Sequence, residues 1–342
     1  MNISKLELQK ALEIVKPGLA NRDIIEQATS FAFINGRVVT FNDEISISHP
    51  IKNLDIQGAV EASKLYKFLS KIKQDEIELE VNESGILLKV GRAKVWLVLH
   101  SEIKLPLDSI QRKGEWKKLP DTFIKAVGFV MTSAGRDMSK PVLTCVHVNK
   151  VGFTEASDGH KITKYEIGEE MPVDTFLIPA QSITTVVKMK PIYIAEGSGW
   201  IHFKSETDTI LSCRLFEKDT YPDIESKGIY DVQGVELVLP KACVEIIERA
   251  SIFAKKDHIL DEEIEVNIEN KKLKVRSISD SAWFEEYTAI RYNKDPITIL
   301  IHPNLLLDAL KETYECTLSE QVDKIMFKGK NWIYVAALRA RA

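Results

Sequence analysis

One arrangement of helical and strand-like stretches recurs three times along this 342-residue chain, with corresponding stretches about 120 positions apart. A chain that repeats one supersecondary plan folds as a series of like units rather than as one large sheet or bundle. Each copy opens on an amphipathic stretch with apolar residues at helical spacing, at 6–15, 119–130 and 239–253. The second and third begin with Leu119-Pro120 and Leu239-Pro240. Proline suits the first helical turn, where its missing N–H is not needed.

Strand-like runs follow each of these helices, at 30–34 with 37–41, 144–148 with 152–156, and 263–268 with 272–277. Asn35-Gly36 and Glu269-Asn270 read as hairpin turns. A second helix is expected at 62–72, 180–189 and 303–313, the last two introduced by the similar strings LIPAQS and LIHPNL. Strand runs then close each copy, at 77–81, 86–90 and 95–99, at 192–195, 200–204 and 209–215, and at 324–328 and 332–338. The spacers 101–116 and 221–234 place boundaries near 114 and 230. The expected fold class is α+β, in three domains at 1–114, 115–230 and 231–342.

Charge limits the function. A net charge of -4 with a pI near 6.1 excludes a protein that coats nucleic acid with its whole surface, so any such contact is a local basic patch. The predicted helices and their flanks nevertheless sum to a positive charge, led by Lys64, Lys67 and Lys71 in the second of them. Cys145, Cys213, Cys243 and Cys316 are far apart, with no CxxC pair and no histidine cluster at metal-ligand spacing. Neither a zinc site, a disulfide framework nor a cofactor is expected. There is no run of 18 apolar residues, and the N-terminal stretch lacks the apolar segment of a signal peptide, so a cytoplasmic protein without membrane contact is expected.

Four strings, in order, carry a family resemblance. The segment Thr154-Glu155-Ala156-Ser157-Asp158-Gly159-His160-Lys161-Ile162 resembles the ATDGHRL segment of the bacterial DNA polymerase III beta subunit, the sliding clamp, with Ser157 and Lys161 replacing Thr and Arg. Lys140-Pro141-Val142-Leu143 precedes it, residues 213–223 resemble SRLIEGRFPDY, and residues 333–339 resemble the terminal YVVMPMR. The chain departs from that pattern where Ala336-Ala337-Leu338 replaces MPM and where three residues follow Arg339. These departures imply a shallower pocket or an altered peptide preference, and the weak match in the first third implies a divergent clamp, of host or phage origin.

The resemblance implies three DNA-clamp domains, each with two helices packed on antiparallel sheets, and two subunits joined head to tail in a ring around duplex DNA. It places the helices on the pore, with Lys10, Arg22, Lys64, Lys67, Lys71, Lys125, Arg136, Lys188, Lys190 and Arg249 as candidate phosphate contacts. It implies a pocket for short clamp-binding motifs of the polymerase, clamp loader and other partners. That pocket would be formed by Leu143, Ser157, Gly159, His160, Lys161 and Ile162, Pro222, and Val335, Ala336, Ala337, Leu338 and Arg339. It puts Ile252 and Phe253 at the subunit interface, with Leu107 opposite. No catalytic residue is expected, because His160 beside Asp158 lacks an accompanying nucleophile or paired carboxylates. The alternative is an interaction protein of the same fold that binds such peptides, or acts as a transcription cofactor, without encircling DNA.

Overall fold

The computed structural model describes residues 2–339 apart from positions 23, 53, 83, 218–220 and 258–260. Part of the 213–223 string and the terminal residues 340–342 therefore lie outside the described residues. The first copy of the repeat runs β1 (Asn2–Ser4), α1 (Lys5–Val15), β2 (Ser30–Ile34), β3 (Arg37–Phe41), β4 (Ile45–Pro50), β5 (Gly58–Glu61), α2 (Ala62–Lys71), β6 (Glu76–Val81), β7 (Gly85–Val90) and β8 (Ala93–Val98). The second runs β9 (Lys117–Lys118), α3 (Phe123–Val130), β10 (Cys145–Asn149), β11 (Phe153–Ser157), β12 (Lys161–Glu166), β13 (Phe176–Pro179), α4 (Ala180–Met189), β14 (Tyr193–Glu196), β15 (Trp200–Lys204) and β16 (Ile210–Arg214). The third runs β17 (Gly234–Val238), α5 (Cys243–Phe253), β18 (Ile264–Glu269), β19 (Lys272–Ile278), β20 (Trp283–Ala289), β21 (Ile297–Ile301), α6 (Pro303–Leu310), β22 (Glu315–Ser319), β23 (Lys324–Lys328) and β24 (Trp332–Ala337). None of the described helices is long and apolar enough to cross a membrane.

Local chemistry sets where these elements begin and end. The Ser4 side chain caps α1 by accepting from the Glu7 amide, and Leu8, Ala11, Leu12 and Val15 bury one face of it. Pro120 and Pro240 lie before their helices rather than in the first turn. Their carbonyls accept from the amides of Phe123 and Cys243 at 3.0 and 2.9 Å, so it is the carbonyl of each proline that leads into the helix. His302 caps α6 through its ring, with Pro303 in the first turn. That helix stops at Leu310 because the amides of Glu312 and Thr313 both turn back to the Ala309 carbonyl. Asn35 and Gly36 both adopt positive φ, as a two-residue hairpin requires. In the third copy Glu269 pairs with Lys272, so the turn is Asn270-Lys271, one residue later than the sequence suggested.

The chain divides into two compact units, one holding residues 1–128, 149–151 and 169–218 and the other the remainder. The first unit has a four-stranded sheet, β1-β6-β7-β8, and an eight-stranded one, β5-β2-β3-β4-β16-β15-β14-β9. In the second unit β20-β19-β18-β21 form a four-stranded sheet, and β10-β11-β12-β24-β23-β22-β17 run side by side. Each unit thus contains one junction between successive copies of the repeat. In one, β4 pairs antiparallel with β16; in the other, β12 pairs antiparallel with β24. The second unit's core gathers Ile246, Ile247 and Ala250 of α5, Leu306 and Leu310 of α6, and the inward residues of β18, β19, β22 and β23. All four cysteines are buried free thiols. Burial pushes those of Cys243 and Cys316 up to about 12 and that of Cys145 to about 11.

Candidate functional site

Backbone pairing assembles most of the expected pocket. The turn between β11 and β12 is closed by Asp158, whose Oδ1 accepts from the amides of His160 and Lys161 at 2.8 and 2.9 Å. Ser157 Oγ donates to the Lys161 carbonyl at 2.7 Å and accepts from the Gly159 amide at 3.1 Å. Gly159 has φ +90°, a conformation that L side chains rarely adopt, and Leu143 lies beside it. The His160 carbonyl accepts from the Ala337 amide at 2.8 Å, and the register of β12 against β24 sets Lys161 opposite Ala336 and Ile162 opposite Val335. Gly159, His160 and Ala337 form an exposed rim, while Ser157, Ile162, Val335, Ala336 and Leu338 are buried. Ile162 and Val335 pack with Ile224 and Val232 of the segment that follows Pro222.

Two pocket residues are otherwise engaged. Arg339 donates to Glu263 Oε2 at 2.9 Å and to the Asp261 carbonyl, within the third copy. Lys161 Nζ, with a side chain only 10% exposed, meets Asp308 Oδ2 of α6 at 2.7 Å, and Lys311 meets the other oxygen at 2.9 Å. Burial alone would raise the Asp308 carboxyl, but hydrogen bonds from Lys161 and Lys311 hold it below its ordinary value. A lowered folded-state value contributes stability above the unfolded carboxylate range that is lost as pH falls through the lowered value. Asp308→Asn is therefore expected to cost about 1–3 kcal/mol near neutrality, since it leaves the Lys161 ammonium poorly paired. Thermal unfolding across pH checks this, because the difference from wild type should shrink in acid.

All ten candidate phosphate contacts are exposed, yet they are not equivalent. Lys64, Lys67 and Lys71 share the exposed side of α2, opposite Ala62, Leu65 and Leu69. Tyr66 bonds Glu13 of α1 at 3.2 Å, and Lys16 lies over its ring at 4.3 Å, holding α1 beside α2. Lys190 ends α4 in the left-handed conformation, with its amide on the Val186 carbonyl. Among the described residues Lys10, Arg22, Lys67, Lys71, Lys125, Arg136, Lys188 and Lys190 take part in no ion pair, and Lys64 pairs with Glu61. Arg249 differs. Its guanidinium is gripped by both oxygens of Glu286 at 2.9 and 2.8 Å and lies 3.6 Å from Glu245. The neighbouring Lys255 and Lys256 are likewise paired, with Glu262 and Glu263. On and just after α5, three cations are thus already paired with carboxylates.

The expected interface residues separate as well. Phe253 stacks on Phe284 of β20 at 5.6 Å, and Ile252 beside it is 65% exposed. Leu107 instead packs half-buried against Ala32, Val39, Phe41, Leu105 and Trp200. Trp200 belongs to the second copy, so Leu107 serves the junction within the chain. Among the described residues, β8 and β20 each end a four-stranded sheet with no strand paired beyond them. They correspond in the repeat to the joined strands β16 and β24, and β4 and β12. Trp96 and Val98 on β8 are 52% and 47% exposed, and Trp283 and Tyr287 on β20 are 66% and 62% exposed. Sequence reasoning missed these four residues, although the position of each in the third strand of a triplet was the available signal. Among the described residues no group of three histidine, cysteine or acidic side chains is placed to hold a metal ion.

No protein-family model matches the sequence, and no curated protein matches it. Solved structures match the fold over nearly the whole length. The DNA polymerase sliding clamp of Bacillus subtilis aligns with TM-score 0.83 at 17% identity, covering 100% of this chain and 99% of that one. The DNA polymerase III beta chain of Streptococcus pneumoniae gives 0.83 at 18% identity, covering 99% of each. A sliding clamp of Bartonella birtlesii bound to griselimycin gives 0.84 at 16% identity, covering 100% and 99%. The chain has the fold of these DNA polymerase III beta subunits.

Proposed function

We propose that the protein is a sliding clamp: two copies close head to tail around duplex DNA and tether a polymerase and other partners, with no catalysis of their own. The observation that carries this reading is the pair of unpaired edges. A threefold repeat that joins copy to copy through β4 with β16 and β12 with β24 leaves one unused edge of each kind, β8 and β20. Exposed edges with large apolar side chains are normally covered. A head-to-tail contact between such edges generates either a ring or an open filament, and closure gives a finite particle.

On this reading the domains are 1–114, 115–230 and 231–342, and Lys10, Arg22, Lys64, Lys67, Lys71, Lys125, Arg136, Lys188 and Lys190 face the phosphates, with Arg249 secondary. Unspecific phosphate contact without base readout is what sliding requires. The group around His160 and Ala337 takes a short peptide with apolar anchors, and the protein works in the cytoplasm. Light scattering at micromolar concentration is expected to give twice the chain mass of 38.7 kDa. A monomer, or a mass growing without limit with concentration, contradicts closure.

A further inference from the structure

Behind the pocket lies a buried carboxylate that the clamp reading does not use. Glu155 of β11 has a side chain 6% exposed. Its Oε1 lies 3.0 Å from His147 Nδ1 of β10, and its Oε2 accepts from the Tyr230 hydroxyl at 2.5 Å. Tyr230 belongs to the segment between the second and third copies. That segment is also held at its other end, where the Tyr221 ring stacks on His147 with centroids 4.7 Å apart and planes at 25°. Lys164 adds a third grip. Its ammonium lies over the rings of Phe153 and Tyr230 at 4.2 and 5.7 Å and pairs with Glu225 at 3.4 Å.

Pro222 sits inside the stretch so clasped, and Ile224 beyond it is buried against Ile162 and Val335. A lone carboxylate is costly to bury unless donors satisfy it. Here one donor comes from the sheet and one from the segment, so satisfying Glu155 and docking the segment are the same event. We propose that His147, Glu155 and Tyr230 are positioning residues for the partner pocket: they fix the 221–230 segment, and with it the Pro222 wall and Ile224, so that the pocket exists before a peptide arrives. This rests on the pocket assignment above. If the clasp opens, only a fraction of molecules carry a formed pocket, and apparent affinity falls by that fraction.

The two tyrosines separate this from a merely structural role. The Tyr221 hydroxyl has no hydrogen-bond partner among the described residues, so Tyr221→Phe keeps the stack and should leave affinity unchanged. Tyr230→Phe removes the bond to Glu155 and should weaken binding about tenfold, as loss of one hydrogen bond to a charged group implies. Glu155→Gln should do the same without a further loss in the double variant. The probe is griselimycin, measured by calorimetry on the full chain, with Ala337→Arg expected to abolish binding at the rim. If wild type fails to bind, or Ala337→Arg binds normally, the pocket assignment fails and the clasp loses its role with it. If wild type binds and Tyr230→Phe, still folded by thermal unfolding, binds equally well or no worse than Tyr221→Phe, the clasp proposal alone is overturned.

Discussion

Replacing Trp283 by glutamate is expected to turn the two-chain particle into single chains at micromolar concentration. The internal junctions fix how β8 and β20 should meet. Cys213 pairs with Ile45 at one junction, and Ala336 pairs with Lys161 at the other. Hairpin registers make Cys213 and Ala336 equivalent to Leu97, and Ile45 and Lys161 equivalent to Ala282. Continuing antiparallel, Trp96 falls opposite Trp283 and Lys94 opposite Glu285. The Trp96 indole already lies flat over Gly85, where an added Cβ would approach its nitrogen to 2.4 Å. A cross-strand aromatic pair at the centre of an edge contact has the character of a hot spot. A carboxylate facing Trp96 should therefore weaken assembly about a thousandfold, the equivalent of ~4 kcal/mol. Lys94→Glu and Glu285→Lys should each weaken it, and together restore it. Restoration absent in the pair, with dimers otherwise intact, points to a different register.

Reversing Lys67 and Lys71 to glutamate should shorten retention on circular DNA at least about tenfold and flatten its salt dependence, because each ring loses four cations and gains four anions. Arg249→Gln should shorten retention less than Lys67→Gln does, since Glu286 and Glu245 already occupy that guanidinium. Equal effects from both substitutions contradict the uneven charge described above. Retention of the dimer mass in the lysine variant keeps this test separate from assembly.

The helices were legible because Leu8, Leu12 and Val15, or Leu65 and Leu69, recur at helical spacing, and Asn35-Gly36 announces its own turn. Of the two edge strands, β8 was legible as the run at 95–99, but β20 was not. β20 reads Trp-Phe-Glu-Glu-Tyr-Thr-Ala, with an exposed side that breaks the apolar pattern expected of a buried strand. Arg249 looked like a phosphate contact because its captor Glu286 lies 37 positions away on another element. Leu107 was read from a likeness in position, whereas its burial depends on Trp200, 93 residues further on. The pocket string was legible as a turn, since Ser157, Asp158 and Gly159 close it locally. The Glu155 clasp was not, because it joins a hairpin to a distant segment.

Encirclement itself is tested most directly by topology. Protein assembled on a nicked circular duplex should stay bound through gel filtration in moderate salt and leave promptly when the circle is cut once. A ring can slide off an end but not off a circle. Equal retention on cut and uncut DNA, or none on either once loaded, contradicts the clamp.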